Sequence, residues 1–326
     1  MNCNDCPRNC NVFREKEAGF CGETSALKIA WAGLHFGEEP LLTADGGSGT
    51  IFLTGCNLKC AFCQNYQISQ NGMGKIVSES EFSEICIRLQ KMGAENINIV
   101  TGSHHARAVS RGLSFAKERG LSIPVCWNSS GYDSLDALKM LDGLVSIFLP
   151  DLKTLSDNLS LSLCAAKDYP EIAKIAIKNM IQKNPLKIEK TKSGKEKITS
   201  GVIVRHLFLP ARFEETAEVL TWLKENANGC AIVSLMSQYT PVPFEEDKKN
   251  LEIRKKRLLA IENRTVNAEE DSDLRDLIEA FDFEWLFYQD LCAGTEWLPD
   301  FSKTLPFQNS LAKTLWHWKT GFCEDV

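Results

Sequence analysis

From Gly49 onward, short apolar runs of strand length alternate with amphipathic stretches of helix length. That alternation confines the chain to an α/β architecture with parallel strands joined by right-handed crossovers. The strand candidates are Thr50–Thr54, Asn96–Thr101, Ser122–Asn128, Leu144–Leu149, Val202–Leu207 and Ala231–Met236. They are short, mostly apolar and rich in β-branched residues, as strands buried on both faces should be. Between them lie helix candidates at Ser80–Met92, His105–Arg119, Ser134–Leu141, Tyr169–Gln182 and Glu214–Glu225, with another within Asp247–Ala260. In the first, Phe82, Ile85, Cys86, Leu89 and Met92 recur every three or four residues and share one face, and Ser78 or Ser80 can cap its start. Six strand–helix units fit a partial, six-stranded parallel β/α barrel better than an eight-unit one. Pro185–Gly201 interrupts the pattern and reads as a hairpin turning at Ser193-Gly194, its lysine-rich stretch Lys183–Lys197 being a solvated surface.

The expected organisation has three parts. Residues 1–45 form a small cysteine-bearing module, residues 46–262 the partial barrel, and residues 263–326 an extension packing on it. Trp285, Trp297, Trp316 and Trp318 supply the apolar surface for that packing. With 44% hydrophobic and 25% charged residues, the 326-residue chain has the profile of an ordinary globular protein. Its net charge of −6 gives no basic footprint for a nucleic-acid partner. No apolar run of membrane-spanning length and no signal-peptide pattern occur, so a cytoplasmic protein without a membrane partner is expected.

Thirteen cysteines is high for a reducing compartment, and seven of them fall within the first 63 residues. Clustered thiols there more often bind metal than pair as disulfides. The scattered ones, Cys86, Cys126, Cys164, Cys230, Cys292 and Cys323, read as small buried hydrophobes. Cys56-x3-Cys60-x2-Cys63 follows the first strand directly, with Phe62 before the last thiol. It therefore stands at a strand's C-terminal end, the edge of a parallel α/β fold where ligands bind. Three thiolates can hold a [4Fe–4S] cluster and leave one iron open. A structural zinc or a closed cluster would need a fourth ligand. Cys3, Cys6, Cys10 and Cys21 do supply four, enough to close a zinc site or a second iron–sulfur cluster. The competing reading is a zinc-stabilised, non-enzymatic binding module that uses all seven thiols structurally.

With these motifs the chain resembles the radical S-adenosylmethionine (SAM) superfamily. It resembles in particular the subgroup of uncharacterised iron–sulfur proteins related to pyruvate formate-lyase activating enzymes. The similarity runs through Cys6-Pro7-Arg8-Asn9-Cys10, Gly19-Phe20-Cys21-Gly22, Glu38-Glu39-Pro40, Gly55-Cys56-Asn57-Leu58-Lys59-Cys60, Asn128-Ser129-Ser130-Gly131-Tyr132, Leu149-Pro150-Asp151-Leu152-Lys153, Arg205-His206-Leu207 and Leu235-Met236-Ser237-Gln238-Tyr239.

The resemblance implies that Cys56, Cys60 and Cys63 ligate a [4Fe–4S] cluster and that SAM occupies the open iron. Reductive cleavage would give methionine and a 5′-deoxyadenosyl radical, with electrons from a flavodoxin- or ferredoxin-type donor. The radical would take hydrogen from a glycine of a glycyl-radical enzyme or from another protein. Alternatively it would act on a peptide, a cofactor precursor or a small metabolite. Phe62 would lie against the adenine. Many members hold the methionyl amine with a Gly-Gly-Glu motif; here Thr101-Gly102-Ser103 stands in its place with no glutamate, leaving a backbone carbonyl near Thr101 or Gly102. Asn128, Asp151, Lys153, Arg205 and His206 end strands at the same edge and are candidates for the ribose, the carboxylate and the substrate backbone. The plainer readings are a local Asp151–Lys153 ion pair, a structural salt bridge at Arg205 and a satisfied core histidine at His206. For His104 and His105 the structural reading is preferred.

Overall fold

The computed structural model describes residues 3–243, 251–291, 294 and 297–323. Cys292 and the first part of the helix expected within Asp247–Ala260 lie outside them.

The strands are β1 (Lys28–His35), β2 (Ser48–Leu53), β3 (Lys75–Ile76), β4 (Ile97–Val100), β5 (Val125–Ser129), β6 (Ile147–Pro150), β7 (Lys187–Lys190), β8 (Glu196–Leu207), β9 (Ile232–Met236), β10 (Leu286–Gln289), β11 (Ala312–His317) and β12 (Gly321–Phe322). The helices are α1 (Pro40–Thr43), α2 (Tyr66–Ser69), α3 (Glu79–Lys91), α4 (Ala106–Glu118), α5 (Leu135–Met140), α6 (Asp157–Cys164), α7 (Tyr169–Lys183), α8 (Phe213–Asn226), α9 (Leu251–Leu258) and α10 (Ala268–Phe281). All strands belong to one sheet, ordered β10-β9-β8-β6-β5-β4-β2-β1-β11-β12 along its main path, with β3 paired to β1 and β7 to β8. From β2 to β10 every neighbouring pair is parallel. The six expected barrel strands are all present. A seventh, β10, joins them from the tail, after α10 has crossed back over the sheet.

The helices form for local reasons. Ser78 caps α3 by accepting from the Glu81 amide, with Glu79 and Glu81 in the first turn against the helix dipole. Ser134 and Ser156 cap α5 and α6 in the same way. Outward strand residues such as Ile97, Ile99, Trp127, Phe148, Val202, Val204 and Val233 pack with the helices in one large core. The expected hairpin is present: β7 pairs antiparallel with β8 and turns at Gly194, whose φ of 89° suits glycine. The arm of β8 that closes the hairpin continues into the barrel as its fifth parallel strand.

The edge beyond β2 is antiparallel. β1 lies between β2 and β11, so the tail reaches both ends of the sheet. Trp316 of β11 is fully buried and donates to Glu81 of α3. Because β1 runs against β2, its end at His35 pairs with Ser48 at the N-terminal ends of the barrel strands. There α1 plugs the barrel. Leu41 and Leu42 join the inward residues Cys126, Ile147, Leu149, Ile203 and Ile232. Asn96 accepts from Ser48 and donates to the Leu42 carbonyl at 2.8 Å, tying the plug to the sheet. Among the described residues no helix is long and apolar enough to cross a membrane.

Candidate active site

The Cys56–Cys63 loop leaves β2 at its C-terminal end. Gly55 makes the departure possible. Its φ is +73°, and an added Cβ would lie 2.5 Å from Glu23 Cγ and 2.8 Å from the Cys21 carbonyl oxygen. The first cysteine module therefore rests directly on the second, and the Cys56 amide donates to the Cys21 carbonyl at 3.3 Å.

Side chains from three parts of the chain grip the loop's backbone. Arg8 donates to the carbonyls of Asn57 at 2.6 Å and Ala165 at 2.7 Å, and its guanidinium stacks over Phe20. Gln70 donates to the Cys60 carbonyl and Arg254 to the Ala61 carbonyl. The Ala61 amide in turn donates to the Leu163 carbonyl at the end of α6. Asn57 reaches the Tyr132 carbonyl. A loop held at so many backbone points presents its three thiols in fixed positions.

No disulfide engages Cys56, Cys60 or Cys63. Burial pushes the Cys56 and Cys63 thiols up, and their interaction with Cys60 adds to it. Cys60 moves the other way, lowered by the hydrogen bond its sulfur shares with the Cys164 sulfur 3.7 Å away. Among the described residues no three His, Cys, Asp or Glu side chains close on a single metal ion. A four-iron cluster takes its thiolates on separate irons, and three free thiols, Cys60 buried and Cys56 and Cys63 half-buried, that feel one another's charge fit that donor set.

Cys3, Cys6, Cys10 and Cys21 are also gathered. Cys6 is pushed up to about 12 by burial and by the other three thiols. The sulfurs of Cys10 and Cys21 flank Gly19, and Cys10 accepts from the Phe20 amide.

Around the loop the sequence candidates divide. Phe62 lies beneath Lys153, whose ammonium is 5.9 Å from its ring centre, and 6.2 Å from the ring of Tyr239. Lys153 donates to Asp151 at 2.7 Å. Asp151 accepts from Arg205 at 3.0 Å, and Arg205 donates to Asn128 at 2.6 Å. The Lys153 and Arg205 charges hold the Asp151 carboxyl below the usual carboxylate range against the opposing effect of burial. These five side chains share the barrel edge. The Asp151–Lys153 pair and the salt bridge at Arg205 are both real contacts.

His206 is not brought to this site. It faces the opposite side of β8, with Nδ1 at 2.7 Å from the Leu152 carbonyl and Nε2 at 2.9 Å from Thr216 Oγ1 of α8. Adjacent residues of a strand point to opposite faces, so Arg205 and His206 could not both line the barrel.

Thr101 and Gly102 end β4 as expected. Thr101 adopts a φ of +63°, unusual for a β-branched residue, while its amide donates to the Asn128 carbonyl. A Cβ on Gly102 would lie 2.4 Å from the Trp127 ring. His104 is buried and bonds the Thr54 carbonyl, and both ring nitrogens of His105 are buried without partners.

Sequence reasoning missed Cys164, which is isolated from the other thiols along the chain, and the arginines that hold the loop. It also missed Glu38, which lies 3.8 Å from Arg205. The one available signal was the Glu38-Glu39 pair set inside an apolar stretch.

Residues 50–188 match the profile of the Radical SAM superfamily. An uncharacterized protein of Methanocaldococcus jannaschii is 31% identical over 278 residues, covering 78% of this chain and 75% of the relative. Among solved structures, Streptococcus suis SuiB bound to its precursor peptide SuiA superposes with a TM-score of 0.50 at 13% identity. That match covers 73% of this chain but only 47% of SuiB, and what it shows is a shared fold. The superfamily match, the relative aligned over most of both chains, the barrel and the open three-thiol loop at its edge lead to one conclusion: the chain belongs to the radical SAM superfamily, whose enzymes work with a [4Fe–4S] cluster and SAM.

Proposed function

We propose that Cys56, Cys60 and Cys63 hold the [4Fe–4S] cluster and that the protein cleaves SAM to make a radical for hydrogen abstraction. The observation that carries this reading is the rigid, three-thiol loop at the C-terminal edge of the parallel strands. When bound, the cluster supplies an electron that breaks the sulfonium C–S bond of SAM, giving methionine and a 5′-deoxyadenosyl radical.

The chain's own residues bind and orient. Phe62 and Tyr239 offer aromatic surface to the adenine. Asn128, Asp151, Lys153 and Arg205 offer donors and acceptors to the ribose and the methionyl carboxylate. The Thr101 and Gly102 carbonyls accept from the methionyl amine. The α1 plug excludes water from the far end of the barrel. The substrate receives the radical at the open edge. A glycine in a partner protein makes the protein an activating enzyme, and a peptide, cofactor precursor or metabolite makes it a modifying one. The cytoplasm is the compartment that suits free, reduced thiols and a flavodoxin- or ferredoxin-type donor. The Cys3, Cys6, Cys10 and Cys21 quartet does not close on one ion as it stands; it would hold a second cluster, or zinc once the four thiols draw together, within the N-terminal module of residues 1–45. If a second cluster is bound there, the backbone contact between Cys21 and Cys56 supports a role in electron relay.

The test is to reconstitute the protein anaerobically, reduce it and measure 5′-deoxyadenosine formed from SAM. Wild type should produce it and Cys60→Ala should not, because two thiolates cannot hold the cluster with one iron open. Full production by Cys60→Ala, or none by an iron-loaded wild type, would contradict the assignment.

A further inference from the structure

Beneath Arg205 the barrel floor carries two carboxylates from one loop. Glu38 and Glu39 follow β1 and immediately precede α1, so the plug that seals the strands' N-terminal ends lifts both into the barrel. Arg205 reaches Glu38 at 3.8 Å while it holds Asp151 at 3.0 Å and Asn128 at 2.6 Å. One guanidinium thus joins the floor to the edge where Lys153 and Phe62 stand.

Among the described residues, the three carboxyls of this path, Glu38, Glu39 and Asp151, face two cations, Lys153 and Arg205, one too few to keep all three ionised. His35 lies 3.7 Å from Glu38, but burial lowers its pKa to about 4, so it is neutral at pH 7. Burial raises both glutamates; the Arg205 charge pulls each back, and Glu38 pushes Glu39 up further.

A second observation points to a missing partner. Asn98 of β4 is 0% exposed; its amide leans on the Glu38 carboxyl and helps hold it down, but its Oδ1 makes no hydrogen bond. The Glu39 Oε2 atom is likewise buried without a partner. Buried polar groups are nearly always satisfied, so this constellation is incomplete as the chain alone supplies it. The surrounding charged side chains also keep some accessible surface: 9% for Glu38, 18% for Arg205 and 20% for Asp151. They are less completely covered than the apolar floor below them.

We propose that Glu38, Glu39 and Asn98 form a subsite for an ammonium or guanidinium group carried by the substrate. The assignment of that group to a radical substrate rests on the function proposed above. A cation here would take up the excess negative charge and donate to Glu39 Oε2 and Asn98 Oδ1 together. Substrate would enter from the strand edge, past Arg205, with its basic group pointing to the floor and its reacting carbon left near the cysteine loop. The ammonium of SAM carries the same charge. It has to sit at the cluster, at the opposite end of the strands from the loop that carries Glu38 and Glu39.

The test uses the reconstituted holoprotein, with methylguanidinium as probe and methylurea as its neutral isostere, titrated by ligand-observed NMR. Methylguanidinium should bind saturably and methylurea at least tenfold more weakly. Glu39→Gln should weaken methylguanidinium at least tenfold and leave the SAM-induced change in the cluster's EPR signal intact. Asn98→Ser should weaken it at least threefold, which keeps the test decisive if Glu39→Gln fails to fold. Equal binding of methylurea, or unchanged affinity in the variants, overturns the subsite. Competition between methylguanidinium and SAM, with loss of the SAM response in Glu39→Gln, gives the site to SAM and overturns the substrate assignment. A protein that forms 5′-deoxyadenosine but does not bind methylguanidinium overturns the subsite alone. One that binds the probe but never forms 5′-deoxyadenosine overturns the radical reading, and with it the link to a radical substrate.

Discussion

The Cys60 sulfur lies 3.7 Å from the sulfur of Cys164, although 104 residues separate them in sequence. Cys164 ends α6, and the carbonyl of the neighbouring Leu163 accepts from Ala61, so backbone contacts hold the two thiols side by side. The hydrogen bond between the two sulfurs favours the Cys60 thiolate, lowering its pKa from the ordinary thiol value. Cluster-free protein in air should therefore form a Cys60–Cys164 disulfide, with oxygen accepting the two electrons and two protons that the thiols give up. Non-reducing peptide mapping by mass spectrometry should find this bridge in cluster-free wild type and lose it in Cys164→Ser. Cluster-loaded protein, with Cys60 engaged, should resist it. Air-oxidised, cluster-free protein without the bridge would show that the loop moves once it is empty.

Gly55 carries the contact between the two cysteine modules. Gly55→Ala would place a methyl 2.8 Å from the Cys21 carbonyl oxygen on a backbone with φ +73°. The Glu23 side chain can shift, but the carbonyl belongs to a folded module. The expected cost is about 2 kcal/mol, combining left-handed strain with the clash. Urea unfolding should show it as a lower midpoint with an unchanged slope. An unchanged midpoint would mean the N-terminal module is not seated on Gly55.

Acid should destabilise the protein through its buried histidines. Burial lowers His206 to about 4, against a value near 6.5 when unfolded. A histidine with a depressed folded pKa is protonated first in the unfolded chain. Its contribution is fully present above about pH 6.5 and is lost as pH falls from there towards 4. At pH 5 the loss from His206 alone is about 2 kcal/mol. Unfolding free energies at pH 7 and pH 5 should therefore differ less in His206→Gln than in wild type. Equal differences would mean His206 is charged in the fold.

Much of this architecture is legible in the sequence because its signals are local. The Ser78 cap, the apolar face of α3, the six barrel strands and the Ser193-Gly194 turn each lie within a few residues of their cause. The cysteine spacing marks the loop for the same reason. What escapes is long-range. β1 reads as part of the cysteine module because one of the strands that enclose it, β11, lies almost 300 residues away. The grip of Arg8 and Arg254 on backbone carbonyls leaves no pattern in sequence, because a carbonyl acceptor can belong to any residue type. His206 is different: strand alternation, applied strictly, is enough by itself to put it on the opposite face from Arg205.

The most direct measurement is the EPR spectrum of the reduced, anaerobically reconstituted protein with and without SAM, alongside Cys56→Ala, Cys60→Ala and Cys63→Ala. Wild type should show a reduced [4Fe–4S] signal that changes when SAM is added, and each variant should lack that response. A cluster signal indifferent to SAM, or a SAM response that survives loss of one of the three thiols, would contradict the assignment of Cys56, Cys60 and Cys63 as its ligands.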